Sequence, residues 1–126
     1  MRRFWIGLGI LGLFLLSGFW ISSRMQAIHI PISEKLAQAS EAAHGGHWDQ
    51  AKALEDEASD RWERYRNFSA ACCNHQPMDE IDARLRQLEV YRRQGLTARY
   101  SAECVYLAER MEDLAESFRL SWWNLL

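Results

Sequence analysis

The clearest helical pattern in the chain is TARYSAECVYLAERMEDLAESF, residues 97–118, and the prediction of the fold starts from it. Its apolar side chains recur at steps of three and four residues, at Tyr100, Cys104, Leu107, Met111, Leu114 and Phe118. This period of about 3.6 residues is typical of an amphipathic α-helix with one apolar and one charged face. Thr97 is a suitable first residue, and Trp122 extends the apolar face. We therefore predict a last helix that packs this stripe into a helical core.

Two further helices with the same period precede it. Their apolar stripes are Trp48, Ala51, Leu54, Ala58, Trp62, Tyr65, Phe68 and Cys72, and then Met78, Ile81, Leu85, Leu88 and Tyr91. The turn between them is expected at residues 74–77, and Gly95 ends the second. A short Ala-rich helix over residues 34–43 is expected before them, after a joint at Pro31. Short connections favour antiparallel neighbours. The predicted fold class is therefore all-α, a small antiparallel helical bundle that follows a single transmembrane helix.

The N-terminal stretch FWIGLGILGLFLLSGFWI, residues 4–21, carries no charge. At about 1.5 Å per residue, these residues and the two serines that follow span roughly 30 Å, the thickness of a bilayer core. Trp5 and Trp20 stand near its ends, where amphipathic rings prefer the membrane–water interface. We predict a transmembrane segment over residues 1–24 and a helical body over residues 25–126.

This segment is expected to remain as an uncleaved signal-anchor. The nearest cleavage sites would place Leu16 or Trp20 where a signal peptidase needs a small residue. Arg2-Arg3 precede the run, while Arg24 and Lys35 follow it, so the positive-inside rule favours a cytoplasmic N-terminus. The predicted location is the cell membrane, with a single span and the body outside.

Charge is distributed unevenly along the chain. Three of the 15 Lys and Arg residues lie in residues 1–24, so residues 25–126 hold 12 of them against all 17 Asp and Glu residues. A body with a net charge of −5 argues against nucleic acid as a partner, because phosphate binding needs a basic face.

The cysteines suggest a metal site only at first sight. Cys72, Cys73 and His75 share one turn, with Cys104 as the fourth ligand of such a site. If the helices alternate in direction, however, Cys72 and Cys104 differ in level by more than about 10 Å, too far for common coordination. Cys104 fits the apolar stripe as a small hydrophobic residue. We predict no metal and no cofactor; a Cys72–Cys73 bridge and an intermolecular disulfide both stay open.

The remaining polar clusters are typical of a surface. His44 and His47 flank a double glycine and are expected to face solvent as turn residues. The carboxylates of residues 55–57, 79–80 and 82 are expected to form a solvated, salt-bridged face with nearby arginines. No phosphate loop, nucleophile elbow or zinc-protease motif occurs in the sequence. We therefore predict that the protein is not an enzyme.

The order of these features resembles a known family. It consists of the N-terminal span, a helix with Trp48 and Trp62, a turn with a histidine and acids before Ile81-Asp82, a heptad-like last helix, and Asn124-Leu125-Leu126 at the end. The chain is similar over nearly its whole length to a bacterial membrane-anchored family, largely from Firmicutes, called "domain of unknown function 4363". The family shows acids close after a histidine, whereas residues 76–78 separate His75 from Asp79 here. The resemblance implies a membrane location and a helical architecture, but no activity.

Two functions fit this sequence. The first is an interaction or structural module that is held at the membrane and binds another membrane or envelope protein, with self-association left open. The alternative is a helical ligand-sensing subunit that acts through a membrane partner. One helix face cannot bury two adjacent tryptophans, so Trp122 is expected inside and Trp123 outside. Trp123, Asn124, Leu125 and Leu126 would then form an exposed apolar patch, which is the candidate interaction site. The alternative is that this whole tail folds back over the short first helix.

Overall fold

The structure, a computed structural model, describes the backbone of residues 1–72 and 75–123 and the side chains of residues 1–68 and 76–117. In this part of the chain, all regular secondary structure is helical. The four helices are α1 (Arg2–His44), α2 (Trp48–Cys72), α3 (His75–Arg93) and α4 (Thr97–Trp123). The predicted all-α class and the bundle are therefore confirmed.

The helices form an up-down-up-down bundle in which α4 returns to α1. Neighbouring helices are antiparallel, because contacts between them join increasing residue numbers on one helix to decreasing residue numbers on the other. Such pairs are His29 with Trp62, Lys35 with Glu57, Glu55 with Arg92, Trp62 with Asp82, Arg84 with Glu103, and Ser33 with Glu112. α1 packs most extensively against α4 and α2, whereas α2 and α3 approach each other least. The α2–α3 seam is consequently the most open one in the bundle.

The α1–α2 and α3–α4 turns have the same geometry. The His47 amide donates to the Ala42 carbonyl at 2.9 Å, and the Leu96 amide donates to the Tyr91 carbonyl at 3.0 Å. Gly46 and Gly95 adopt φ values of 76° and 66°, as the left-handed residue of this helix-ending motif requires. Both turns lie at the end of the bundle remote from the N-terminus of α1.

The core lies along the predicted stripes. Buried members of α2, α3 and α4 include Ala51, Ala58, Trp62, Met78, Ile81, Leu85, Leu88, Tyr100, Cys104, Leu107, Met111 and Leu114, while Trp48, Leu54, Tyr65, Phe68 and Tyr91 pack against them partly buried. α1 adds Met25, Ile28, Ile32, Leu36 and the alanines at 39, 42 and 43. The side chains of Phe118 and Trp122, also predicted for the core, lie outside the described residues.

The joint expected at Pro31 is wrong, because α1 continues through it from Arg2 to His44. Proline removes one helical hydrogen bond and crowds the carbonyl of Ala27, which costs about 3 kcal/mol in a helix interior. Ile28 and Ile32 on either side of it are buried against the other helices. We attribute the continuous helix to this packing, which holds the segment helical despite the proline.

The turn expected over residues 74–77 is also shorter than predicted, since α3 begins at His75. Pro77 falls in the first turn of α3, where a backbone N–H has no carbonyl partner within the helix. The proline therefore costs α3 no internal hydrogen bond, and helix formation starts before it.

Candidate functional site

The first candidate surface is the outer half of α1, residues 2–24. Most of its large apolar side chains are exposed, with Phe4, Leu13, Leu16 and Phe19 each between 68% and 74% exposed. The inner half, residues 25–44, does the opposite, since Met25, Ile32 and Leu36 are fully buried. One continuous helix thus presents an exposed apolar cylinder at one end and a core stripe at the other.

The outer half has the length and composition of a membrane span. Its most apolar window of 18 residues has a mean hydropathy of 2.0, and only 6% of that window is buried. A core helix of a soluble protein can be as long and as apolar, but it is mostly buried. Exposure therefore leaves two interpretations of the outer half, a membrane span and a cleavable signal sequence.

Aromatic and cationic residues mark the two ends of this surface. Phe4 and Trp5 pack edge to face with ring centroids 6.2 Å apart, next to Arg2-Arg3. At the other end, the guanidinium of Arg24 lies 5.9 Å from the centre of the Trp20 ring. Indole rings with cations beside them are favoured at membrane–water interfaces.

The second candidate surface is a polar groove of about 660 Å³ between α2 and α3. Five cations and five carboxylates line it, at Lys52, Arg66, Arg86, Arg92 and Arg93 and at Glu55, Asp56, Glu63, Asp82 and Glu89. Most of these charges are paired with one another, in the bridges Lys52–Asp56, Arg66–Asp82, Arg92–Glu55 and Arg93–Glu89. The charges that line the groove therefore largely neutralise one another.

Glu55 closes the floor of this groove and is only 4% exposed. Its carboxylate accepts hydrogen bonds from Arg92 Nε at 2.9 Å and from the Tyr100 hydroxyl at 3.1 Å. Burial raises the pKa of Glu55, although Arg92 and Tyr100 act in the opposite direction. The expectation of a solvated carboxylate at this position is wrong, because Glu55 ties α2 to both α3 and α4.

A second polar contact spans the same groove further along. The Trp62 indole donates to Asp82 Oδ1 at 2.7 Å, and Arg66 Nη2 lies 2.8 Å from Asp82 Oδ2. On its other side, the Trp62 ring packs 6.0 Å from the ring of buried His29. Burial lowers the pKa of His29 to about 4, so the imidazole is neutral near pH 7. The hydrogen bond from Trp62 and the ion pair with Arg66 therefore hold the Asp82 carboxylate in place and connect α2 to α3.

The acids at residues 79–80 behave largely as predicted. Glu80 accepts a hydrogen bond from the Tyr106 hydroxyl at 2.8 Å and pairs with Arg84 and Arg110, each at 3.3 Å. The Tyr106 hydrogen bond is the main cause that lowers the pKa of this carboxyl, and the Arg110 contact adds to it. Asp79 pairs with Arg66 at 3.4 Å. This face of α3 and α4 is a surface ion-pair network.

The buried positions that sequence reasoning missed carried a signal. Glu55 is four residues after Ala51 and seven before Trp62, and therefore lies on the predicted apolar face of α2. His29 likewise falls between Met25 and Ile32 at steps of four and three. Helical periodicity indicated burial at both sites, although residue type alone indicated solvent.

The structure also locates the candidate metal ligands. Cys104 is free and fully buried, and burial raises the pKa of its thiol to about 12, as suits a small hydrophobic core residue. It lies beside Tyr100 near the start of α2, whereas the backbone of Cys72 lies at the far end, more than about 20 Å away. His44 and His47 are exposed, as predicted, although His44 is the last residue of α1 and only His47 lies in the turn. Among the described residues, no group of three potential ligands is close enough to hold a metal ion.

The predicted interaction patch falls largely outside the described part of the chain. The backbone of Trp123 ends α4, but its side chain and residues Asn124, Leu125 and Leu126 lie outside the described residues. The same holds for the side chains of Cys72 and His75 and for Cys73. The patch and the pairing of these cysteines therefore stay predictions.

By fold, the protein is a four-helix bundle whose first helix extends well beyond the other three as an exposed apolar cylinder. Comparison with protein families places it more closely. Residues 19–125 match the family named Domain of unknown function (DUF4363), and since this is most of the chain, the protein belongs to that family. The predicted family membership is thereby confirmed. Searches of curated proteins and of solved structures found no match.

Proposed function

We propose that this protein is a single-pass membrane protein of the bacterial cell envelope, whose bundle serves as a non-catalytic interaction or structural module. The observation that carries the proposal is the contrast within α1. Its outer half leaves Phe4, Leu13 and Phe19 more than half exposed, while its inner half is buried in the bundle. An apolar cylinder of this length is stable when lipid surrounds it, because exposure of so much apolar surface to water is unfavourable.

In this proposal the N-terminus lies in the cytoplasm and the bundle lies outside. Arg2-Arg3 flank the span on the N-terminal side. On the other side, Arg24 follows the run directly and Lys35 stands eleven residues further on. The two adjacent arginines at the N-terminal end of the span favour a cytoplasmic N-terminus by the positive-inside rule.

The groove supports an interaction module over a ligand sensor or an enzyme. Its central carboxylates, Glu55 and Asp82, are each held by an arginine, and both also accept a hydrogen bond from an aromatic side chain. A small ligand would have to break these pairs to bind. In the proposed role they hold the helices together, and the partner is another membrane or envelope protein or a second copy of the chain.

Membrane anchoring is tested by charging the outer half of α1. Leu11 and Val105 have similar exposure, 50% and 47%, but only Leu11 lies in the proposed span. An arginine at the centre of a span costs about 2.5–3.5 kcal/mol. We expect the double variant Leu11→Arg/Leu15→Arg to leave the carbonate-washed membrane fraction, and Val105→Arg to remain in it. Equal retention of both variants would contradict the anchor.

The interaction role is tested by site-specific photo-crosslinking in native membranes. A photoreactive side chain at exposed Leu13 or Val105 should give a discrete product with another polypeptide, identified by mass spectrometry. The same group at fully buried Leu107 serves as the control and should react only within the chain. Lipid adducts at Leu13 without any polypeptide product at either exposed site would support the anchor and contradict the interaction module.

A further inference from the structure

The four helices can be placed on a common scale along the bundle axis. On α2, Trp62 lies level with His29 of α1, and on α4, Glu112 lies level with Ser33, where the two side chains are 3.0 Å apart. Antiparallel helices advance equally, at about 1.5 Å per residue. α2 therefore ends at Cys72 near the level of residue 19, and α4 ends at Trp123 near the level of residue 22. Gly18 of α1 is indeed buried, which shows that the bundle reaches this level.

Formal charge disappears from all four helices at one level, which we call the charge boundary. On α1 the last charged residue toward the N-terminal run is Arg24. Arg66, the last on α2, lies near the level of residue 25, and its partner Asp79 is the first on α3. On α4 the last is Arg119, near the level of residue 26. The described helical residues beyond the boundary, 4–23, 67–72, 75–78 and 120–123, include no Asp, Glu, Lys or Arg.

The opposite end of the bundle is different. Asp49, Lys52, Arg93 and Arg99 all lie within six residues of the two glycine-containing turns there. Packing does not require all four chain segments to become uncharged at the same level. The end of a water-exposed bundle tolerates charge, as the opposite end shows. A change of solvent at that level accounts for the pattern.

The length of the uncharged run of α1 points to the same level. Residues 4–23 span about 30 Å at the helical rise per residue, which is the thickness of the hydrocarbon core of a bilayer. Because Gly18 within this run is buried, the part of the run from Gly18 to the charge boundary, about 9 Å long, lies inside the bundle. If the whole run lies in the hydrocarbon core, the uncharged end of the bundle lies there too.

We propose that the uncharged end of the bundle is immersed in the bilayer, with the charge boundary at the headgroups and lipid around all four helices beyond it. This inference rests on the proposed membrane anchor. Immersion of about 5–10 Å is the depth at which apolar faces of interfacial helices lie. The membrane surface is thus a binding surface for α2, α3 and α4 as well as for α1.

The test measures the depth of three labelled positions in the full-length chain. An environment-sensitive fluorophore is attached to a single cysteine at Gln76, Gln94 or Leu11, with the native cysteines replaced by alanine. The protein is reconstituted in phosphatidylcholine–phosphatidylglycerol vesicles whose lipids carry a nitroxide quencher either near the headgroup or deep in the acyl chain. Gln76 is exposed and lies beyond the charge boundary, whereas Gln94 is equally polar and exposed at the opposite end.

We expect the label at Gln76 to lose most of its fluorescence to the shallow quencher, the label at Leu11 to lose most to the deep quencher, and the label at Gln94 to keep its intensity. Quenching at Leu11 but not at Gln76 would overturn immersion and leave the anchor intact. No quenching at either site would overturn the anchor itself. A blue-shifted, unquenched label at Gln76 would assign this end to a second copy of the chain and also overturn immersion.

A second measurement covers the case in which the cysteine-free chain does not fold, as judged by its far-ultraviolet circular dichroism. The native chain is placed in lipid nanodiscs and its amide hydrogen exchange is followed by mass spectrometry. The peptide that spans residues 67–78 should exchange more slowly than in detergent, whereas the turn at residues 45–47 should not change. Unchanged exchange of both peptides would contradict immersion.

Discussion

The two halves of α1 are built from similar residues and meet opposite environments. Leu13 and Leu16 in the outer half are 71% and 69% exposed, whereas Leu36 in the inner half is fully buried. The difference lies in spacing. In the inner half, apolar residues at positions 25, 28, 32 and 36 follow the helical period and alternate with polar ones, while residues 4–21 are apolar on every side. A stripe predicts a protein core, and an all-round apolar surface predicts lipid.

α1 combines these two kinds of surface without a break. The inner half is held on both sides, by α2 and by α4, with contacts such as Lys35–Glu57 and Ser33–Glu112. This packing fixes the direction of the helix, and the outer half continues it. The outer half is therefore a direct continuation of the bundle core, and in the proposed membrane its orientation would set that of the bundle.

The largest effect on stability is expected when a lysine replaces a leucine in the inner half, compared with the same substitution in the outer half. Leu36→Lys places a charge in the core and should cost at least about 4 kcal/mol, enough to unfold the bundle. Leu13→Lys should leave the free energy of unfolding of the bundle unchanged and instead weaken membrane retention. Chemical denaturation in detergent micelles, followed by circular dichroism, and carbonate extraction of membranes measure the two quantities. Similar losses of bundle stability in both variants would contradict the assignment of the two halves to different environments.

Acidification should destabilise the inner half through His29. Its pKa is about 6.5 in the unfolded chain and is lowered to about 4 by burial in the fold. Between these values the unfolded state binds the proton and the folded state does not, so the stability present above pH 6.5 is lost as the pH falls toward 4. The expected loss from this residue is about 3 kcal/mol.

The control for this prediction is His29→Gln, measured by urea unfolding at several pH values between 7 and 4. Glu55 is present in both proteins and responds to acid in the opposite direction. Burial raises the pKa of its carboxyl, so its protonation favours the folded state. The variant should lack the His29 component and lose less stability on acidification than the native chain. Parallel pH profiles of the two proteins would show that His29 is not the group responsible.

An intermediate effect is expected at Leu114 of α4, which packs near the same level as Ile32. It is 9% exposed and belongs to the core cluster. Leu114→Ala should lower the free energy of unfolding by about 2 kcal/mol, at the low end for a buried leucine because the site lies at the core edge. Leu16→Ala, at an exposed leucine of the outer half, is the matched substitution. It should not change the denaturation midpoint, and a comparable shift would mean that the outer half contributes to the core.

The smallest effect separates two serines of α1. The Ser33 hydroxyl donates to Glu112 on α4 at 3.0 Å, whereas the Ser17 hydroxyl donates to the Phe14 carbonyl within the same helix. Ser33→Ala should cost about 1 kcal/mol of bundle stability. Ser17→Ala should cost nothing measurable in the same unfolding experiment. If Ser33→Ala is also neutral, the contact between α1 and α4 at this level contributes nothing measurable.

Helical periodicity predicted the fold well. The type of an individual residue predicted its environment poorly. The stripes through Leu85 and Leu107 predicted which faces of α3 and α4 are buried, because three-residue and four-residue steps report helical geometry directly. Pro31 was misread as a joint, since its local cost is opposed by packing against α2 and α4 that only the assembled bundle supplies. Glu55 was misread as solvated because its partners, Arg92 and Tyr100, are distant in sequence.

The intact mass of the protein recovered from carbonate-washed native membranes shows whether the outer half of α1 stays attached to the bundle and lies in the membrane. We expect the membrane fraction to contain a chain that retains residues 4–21. A shorter chain that begins between Gly18 and Gln26 and is recovered in soluble form would contradict it, because the apolar run would then be a removable signal sequence.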